Sequence, residues 1–285
     1  MINAAARCAV EQSLFGAREI LQRLKDGGSV VGSGTAFGDE KADIDIKADL
    51  EIGRYLQTIQ QEHWARRISV EGFDDLEISG DSGLYWFCND PLDASLSYRL
   101  RGNTIGLPYS TAVTVFGRTS GACFSDVIAA GVIDLRSGDK WIAMRQGDGT
   151  LEADINGVPA RTANVSQLDL GQMVVIGEMY YPENREKIVR AFRGDKGWLT
   201  NPHSAAYEMA LVSSGQAVAF ICDRQKCDVL GAGYALVCGA GGVAVDFNGH
   251  DLGDHLYAFK SQVPVILAAN QAIADQVLAR LHRAE

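Results

Sequence analysis

Apolar residues recur at helical spacing in two segments near the start of the chain. In residues 14–24 they stand three or four positions apart and are followed by Gly27 and Gly28, which predicts an amphipathic helix that ends at the glycines. In residues 43–63 they recur about every fourth position, which predicts a second helix. Asp45 lies in the first turn of this second helix, next to its apolar stripe.

The centre of the chain alternates short runs of β-branched and aromatic residues with turn residues. Runs bounded by glycine or aspartate predict strands at residues 68–71, 84–90, 111–116, 127–134 and 141–145. The dipeptides Asp148-Gly149 and Asn156-Gly157 are typical of hairpin turns. This part of the chain is therefore predicted to be mostly β-structure.

The last part of the chain mixes the two patterns. Helices are predicted at residues 182–192 and 204–213, in a small-residue segment that Asp228 is expected to cap, and at the end of the chain. Strands are predicted at residues 173–178, 217–221, 243–246 and 263–268. Helices and strands occur in groups, which favours an α+β fold with layered packing over a doubly wound parallel sheet. Because no segment has the composition of a linker, we expect a single unit over residues 1–285.

The composition narrows the classes of partner. Of the 285 residues 47% are hydrophobic, which is enough for a large core, and the formal net charge is −10. The basic residues are scattered and form no stripe, so a nucleic-acid polymer is not an expected partner. An acidic protein can still bind phosphate through a few local donors or through divalent cations, whose ligands are themselves acidic.

Cysteine usage and hydropathy indicate the compartment. The sequence has six cysteines in a long chain and no secretory signal, so we expect reduced thiols and a cytoplasmic protein. The most apolar run, residues 231–245, contains five glycines and is shorter than the roughly 20 residues that a membrane-spanning helix needs. We therefore expect no membrane segment.

The strongest local motif places two carboxylates around a proline bend. Asp90-Pro91-Leu92-Asp93 follows a hydrophobic run and precedes Ala94 and Ser95. By itself such a loop is typical of a solvated turn, because aspartate and proline both favour turns.

The motif resembles the D-P-[IL]-D-G-[ST] signature of the inositol monophosphatase and fructose-1,6-bisphosphatase superfamily, with Ala94 in place of the glycine. Other superfamily segments occur in the same order. Residues 38–45 resemble its early acidic segment, and residues 69–72 resemble its strand ending in Glu-Glu, with Gly72 as the second residue. Residues 227–242 resemble its second signature, although Cys227 replaces the usual tryptophan and Gly239 the usual glutamate.

The resemblance implies a layered αβαβα sandwich of the sugar phosphatase type, a homodimer, and a lithium-sensitive hydrolase that uses Mg²⁺, for which Mn²⁺ can substitute. One metal would be held by Glu71, Asp90 and the Leu92 carbonyl, and a second by Asp90, Asp93 and Asp228. A weaker third would lie near Glu71 and Asp45, and Ser95 would orient the attacking water.

Electrostatic repulsion among the predicted ligands also favours bound metals, independently of the resemblance. If Glu71, Asp90, Asp93 and Asp228 converge, four like charges would raise one another's pKa unless cations neutralise them. Carboxylate oxygens of this kind suit Mg²⁺ or Mn²⁺ better than zinc.

The substrate is less constrained than the metal site. By the resemblance, the backbone of Ala94 and Ser95 and the segment at His203 and Ser204 lie near the phosphate. The glutamate that binds inositol in the family corresponds to Ile221, which puts dedicated inositol binding in doubt. Arg224 and Lys226 are either contacts for a second phosphate or solvated surface charges.

Three functions remain open at this point. The first is hydrolysis of an inositol monophosphate or a sugar phosphate such as fructose 1,6-bisphosphate. The second is a 3′(2′),5′-bisphosphate nucleotidase, which would share the whole metal site. The third is a non-catalytic, metal-dependent binding or regulatory protein, because Gly72, Ala94, Cys227 and Gly239 depart from the family pattern.

Overall fold

The computed structural model describes residues 2–26, 43–63, 65–78, 83–94, 107–179, 182–193 and 198–284. The helices of these residues are α1 (Ile2–Asp26), α2 (Asp43–Glu62), α3 (Pro182–Ala191), α4 (Ala205–Ser213), α5 (Cys227–Gly239) and α6 (Gln271–Arg283). The predicted helices are confirmed: α2, α3 and α4 differ from the predicted ranges by one residue at one end, and α1 begins twelve residues before the apolar stripe that predicted it. Asp228 is not the N-cap residue of α5, however, because this helix begins at Cys227, one residue before Asp228, and Lys226 is its N-cap residue.

The first sheet has eight strands in the order β2-β1-β3-β4-β5-β6-β7-β8. They are β1 (Ala65–Val70), β2 (Leu76–Glu77), β3 (Tyr85–Asp93), β4 (Ser110–Phe116), β5 (Val127–Asp134), β6 (Lys140–Arg145), β7 (Leu151–Ile155) and β8 (Val158–Pro159). All neighbours are antiparallel except β1 and β3, which run parallel. The predicted hairpin at Asn156-Gly157 is confirmed, since both residues have positive φ, as a type I′ turn requires.

The second sheet has five strands in the order β10-β9-β11-β13-β12. They are β9 (Val174–Gly177), β10 (Trp198–Thr200), β11 (Ala219–Lys226), β12 (Val243–Val245) and β13 (Gln262–Ala268). Alternate residues of β11 serve different cores. Phe220 and Cys222 face the space between the sheets, whereas Ala219 and Ile221 face the opposite side.

Five layers follow from these cores. Helices α1 and α2 cover one face of the first sheet, α4 and α5 fill the space between the sheets, and α3 and α6 cover the outer face of the second sheet. The predicted layered αβαβα arrangement is therefore confirmed. Both faces of each sheet are covered, which explains why β3 and β4 are buried along almost their whole length.

The small residues of α5 allow it to lie between the two sheets. A Cβ at Gly231 would come within 2.8 Å of the Thr114 side chain, and one at Gly239 within 3.1 Å of the Ala153 backbone nitrogen. The first turn of α5, which carries Asp228, is therefore held close to the first sheet. Close packing against β7 therefore explains a glycine at position 239, where the family signature has a glutamate.

Two further sequence predictions concern the cysteines and the membrane. All six cysteines are free thiols in the structure. Within the part of the chain that the structure describes, no helix is both long enough and apolar enough to cross a bilayer.

Candidate metal and active site

Three carboxylates from three different elements converge. Glu71, Asp90 and Asp228 each place one oxygen so that all three atoms lie within 4.8 Å of one another. Asp90 and Asp228 are buried, and Glu71 is partly exposed. This is the one cluster of metal-ligating side chains found among the described residues, and its members are three of the four carboxylates that the sequence analysis considered as converging ligands.

The parallel pairing of β1 with β3 explains why two of these residues meet. Val70 pairs with Asn89, so the next residue on each strand, Glu71 and Asp90, lies at the same point of the sheet. The Glu71 amide donates a hydrogen bond to the Asn89 carbonyl at 2.9 Å, which holds the residue in place where β1 ends. Asp228 reaches the same point from the first turn of α5.

The Asp-Pro-Leu-Asp segment is held by its own hydrogen bonds. The Leu92 amide donates to Asp90 Oδ1 at 2.9 Å, and the Thr111 hydroxyl donates to the Pro91 carbonyl at 2.8 Å. The pairing of β3 with β4 shifts register between Asp90 and Asp93, where this segment bulges. The Leu92 side chain is buried in the core beneath α1 and α2, which anchors the loop.

Asp93 lies outside the three-carboxylate cluster. Its Oδ2 accepts hydrogen bonds from the Ser204 hydroxyl at 2.7 Å, the Ala206 amide at 2.9 Å and the Ser110 hydroxyl at 3.3 Å. Through these bonds Asp93 satisfies an amide in the first turn of α4. Among the described residues all three bonds go to Oδ2, so Oδ1 keeps its capacity to accept. A metal-binding role for Asp93 stays a prediction.

Ser204 and His203 form the entry to α4. Ser204 is fully buried, and its hydroxyl serves Asp93 instead of capping its own helix. His203 has a φ of 71°, and its amide donates to Glu208 Oε1 at 2.8 Å. Direct contact of either side chain with substrate stays a prediction.

Sequence reasoning missed Ser110 and Glu208. Ser110 begins a buried strand and carries no motif, so no signal could have identified it. Glu208 is fully buried one helical turn after Ser204, and a charged residue inside an apolar helical segment was the available signal.

The charges of the cluster perturb one another. The pKa of Asp228 is raised to about 7, mainly by burial and also by the charge of the neighbouring Glu71, while Lys226 opposes the rise. Burial likewise raises the pKa of Asp93 to about 6, against the hydrogen bonds from Ser204 and Ala206. Such shifts are typical of carboxylates gathered for a function.

Lys226 lies at this cluster. Its Nζ is 2.8 Å from Glu71 Oε1, which makes a hydrogen-bonded ion pair. Burial lowers the pKa of Lys226, but the bond and the charges of Glu71, Asp228 and Asp90 outweigh it, so the net shift is upward. Arg224 is exposed on β11 and is not among the described residues that line the adjoining cavity.

Two turns beside the site have left-handed backbone. Ala94 has a φ of 68°, a conformation that costs a residue with a Cβ roughly 1–2 kcal/mol. Gly72, directly after Glu71, has a φ of 83°, so a second glutamate at this position would be strained. The alanine thus sits where the family signature has glycine, and the glycine sits where the family has glutamate.

A cavity of about 260 Å³ opens on the cluster. Its walls come from the turn after β1, the start of α5 and the segment before β13, and the lining residues are Glu71, Gly72, Lys226, Asp228, Phe259, Lys260 and Gln262. Two predicted residues cannot be located in it. Ser95 lies outside the described residues, and so does the side chain of Asp45, although its backbone belongs to α2.

Comparison with known proteins rests on structure. No protein-family model and no curated protein matches the chain. The extragenic suppressor protein SuhB from Bartonella henselae matches with a TM-score of 0.74 and 19% identity, over 98% of this chain and 99% of that chain. The inositol monophosphatase from Anabaena matches with a TM-score of 0.72 and 16% identity, over 96% and 94%. The chain has the inositol monophosphatase fold.

A third solved structure with this fold is the MJ0109 gene product, named an inositol monophosphatase-fructose 1,6-bisphosphatase, with a TM-score of 0.70 and 16% identity over 95% of this chain and 98% of that chain. The inositol monophosphatase fold was thus correctly indicated by the motifs around Glu71, Asp90 and Asp228. At these identities the likeness establishes the fold alone.

Proposed function

We propose that this chain is a Mg²⁺-dependent phosphomonoesterase that hydrolyses a small phosphorylated metabolite. The observation that carries the proposal is the convergence of Glu71, Asp90 and Asp228 within 4.8 Å beside a cavity. Solved proteins with the same fold are named inositol monophosphatase and fructose 1,6-bisphosphatase.

The residues present fit a hard divalent cation. The three converging donors are all carboxylate oxygens, and Mg²⁺ and Mn²⁺ prefer such ligands over the nitrogen and sulfur ligands of zinc. Burying two carboxylates next to a third is costly without a cation, which is the physical reason for the raised pKa of Asp228.

The chain's own residues would divide the work as follows. Glu71, Asp90 and Asp228 would hold the cations. The Leu92 carbonyl and Asp93, through its Oδ1, would be additional ligands. Asp45 would help to hold a further cation that binds more weakly. Bound cations supply positive charge for a phosphate and lower the pKa of water.

Ser95 would orient the attacking water, and the Asp93 bonds to Ser204 and Ala206 would fix the start of α4 beside the phosphate.

The cavity limits the substrate. Its volume of about 260 Å³ lies just below the range of roughly 300–1,000 Å³ for ligand sites, which favours a small metabolite. Ile221, at the position of the family's inositol-binding glutamate, is fully buried and faces away from the space between the sheets. A sugar phosphate or a bisphosphate is therefore a better candidate than a dedicated inositol monophosphate.

The test is phosphate release from inositol 1-phosphate, fructose 1,6-bisphosphate and adenosine 3′,5′-bisphosphate, with Mg²⁺, with Mn²⁺ and with excess EDTA. We expect release from at least one substrate that requires the metal. Asp90→Asn, which keeps the shape of the side chain, should abolish release. Glu152→Gln, an equal loss of charge at an exposed site on β7, should leave it unchanged.

Two results would contradict the proposal. Full activity in EDTA would exclude a metal-dependent reaction, and full activity of Asp90→Asn would exclude this cluster as its site. Tight Mg²⁺ binding without release from any substrate would favour the non-catalytic alternative.

A further inference from the structure

Lys226 occupies a special position in the chain. It is the last residue of β11 and the N-cap residue of α5, two positions before Asp228. Its long side chain reaches Glu71, 155 residues earlier, and ends 2.8 Å from Oε1. One of the three converging carboxylates is thus already paired with a cation that belongs to the chain.

This ammonium and a divalent cation would bind the same group. Glu71 contributes a ligand oxygen to the three-carboxylate cluster and also accepts the hydrogen bond from Lys226. The attraction of the ammonium extends to Asp228 and Asp90, so it lies within the field of the whole cluster. A fixed positive charge a few ångströms from a binding site repels an incoming divalent cation, and the effect is strong where the surroundings are partly buried.

We propose that Lys226 is a resident cation that competes with divalent metal for Glu71, so that metal binding requires its ammonium to leave that carboxylate. The inference rests on the metal site of the proposed function. In the metal-free protein the ion pair offsets part of the repulsion among the acids. The pair thereby stabilises the metal-free protein at the expense of metal affinity.

The experiment measures Mn²⁺ binding without substrate, by the electron paramagnetic resonance signal of free Mn²⁺. Lys226→Met removes the charge and keeps an unbranched side chain. It should bind Mn²⁺ at least about 10-fold more tightly than wild type, because both the competitor and its repulsion are gone. Lys226→Arg keeps the positive charge, so its Mn²⁺ affinity should stay within about 3-fold of that of wild type.

Lys260→Met is the matched control. Lys260 lines the same cavity, and among the described residues it forms no ion pair with a carboxylate. Removal of the Lys260 charge changes only the overall electrostatic potential of the cavity, so the gain in Mn²⁺ affinity should be about 2-fold or less. An equal gain in Lys226→Met and Lys260→Met would overturn the competition, and so would unchanged or weaker binding by Lys226→Met.

Thermal melting without substrate is a second measurement, and it would not change if Lys226 served only to bind substrate. In EDTA, Lys226→Met should melt below wild type because the acids lose their counter-charge. In excess Mg²⁺ the gap should close or reverse, since ligand that binds only the native state stabilises it according to affinity. If neither protein binds Mn²⁺ at all, the proposed metal site itself is wrong, a result distinct from equal binding by both.

Discussion

The Ser204 hydroxyl donates a hydrogen bond to Asp93 Oδ2 at 2.7 Å across 111 positions of sequence. The bond joins the acidic loop at the end of β3 to the first turn of α4, and the Ala206 amide strengthens the same junction. Asp93 is therefore a structural link as well as a predicted metal ligand, and the two roles can be separated.

Asp93→Asn should leave the metal-free melting temperature unchanged or raised. An amide oxygen in place of Oδ2 can accept the same three hydrogen bonds, while a buried charge is removed. Asp93→Ala is the matched comparison, and it should lose about 0.5–2 kcal/mol of unfolding free energy because the Ala206 amide in the first turn of α4 loses its acceptor. Melting curves in EDTA compare them.

The same two variants test the metal role. If Asp93 binds metal through Oδ1, both substitutions should reduce the rise in melting temperature that Mg²⁺ causes in wild type. A full Mg²⁺-induced rise in Asp93→Asn would count against Asp93 as a ligand.

Ala94→Gly should stabilise the protein. At a φ of 68° the Cβ of Ala94 costs roughly 1–2 kcal/mol, and the extra backbone entropy of glycine takes back part of the gain, which leaves about 0.5–1 kcal/mol. Ala279→Gly is the same change at an exposed position inside α6, where it should destabilise by about 1 kcal/mol. Opposite signs in urea unfolding would confirm the strain at Ala94, whereas losses in both would contradict it.

Glu208→Gln should change how stability depends on pH. Burial raises the pKa of Glu208 well above its usual value of 4.5, and Glu178 and Asp93 raise it further. Because the folded pKa exceeds the unfolded one, the stabilisation by the bound proton is complete below the unfolded pKa and is lost as pH rises through the folded pKa.

The Glu208→Gln variant keeps an acceptor for the His203 amide but has no proton to lose. Its advantage in melting temperature over wild type should therefore grow as the pH is raised from 5 toward 9. Glu152→Gln at an exposed site serves as the control. Parallel pH profiles for Glu208→Gln and wild type would show that this carboxyl does not titrate as expected.

Ser95→Ala tests a residue that only the sequence identifies. If Ser95 orients the attacking water, its loss should lower kcat by roughly 100-fold while Mn²⁺ affinity is largely kept. Steady-state kinetics together with Mn²⁺ binding measure the two effects. A wild-type kcat would reduce Ser95 to a turn residue.

Much of the fold could be predicted because the signals are local. The apolar stripe of residues 43–63 predicts α2, and the turn at Asn156-Gly157 predicts the hairpin between β7 and β8, because helix periodicity and turn conformation depend on neighbouring residues. The acidic motifs and their order likewise indicated the layered fold and four acids, three of which converge in the structure: Glu71, Asp90 and Asp228, but not Asp93.

Residue patterns were thus enough to predict the elements, the fold class and a set of acids that includes the three converging ones. The partners of the acidic side chains became known from the folded chain alone. The bond from Ser204 to Asp93 and the ion pair between Lys226 and Glu71 each join distant parts of the chain. The burial of Glu208 depends on the packing of α4 between the two sheets. Side-chain partners of this kind are set by distances in space, and no local pattern of residues encodes them.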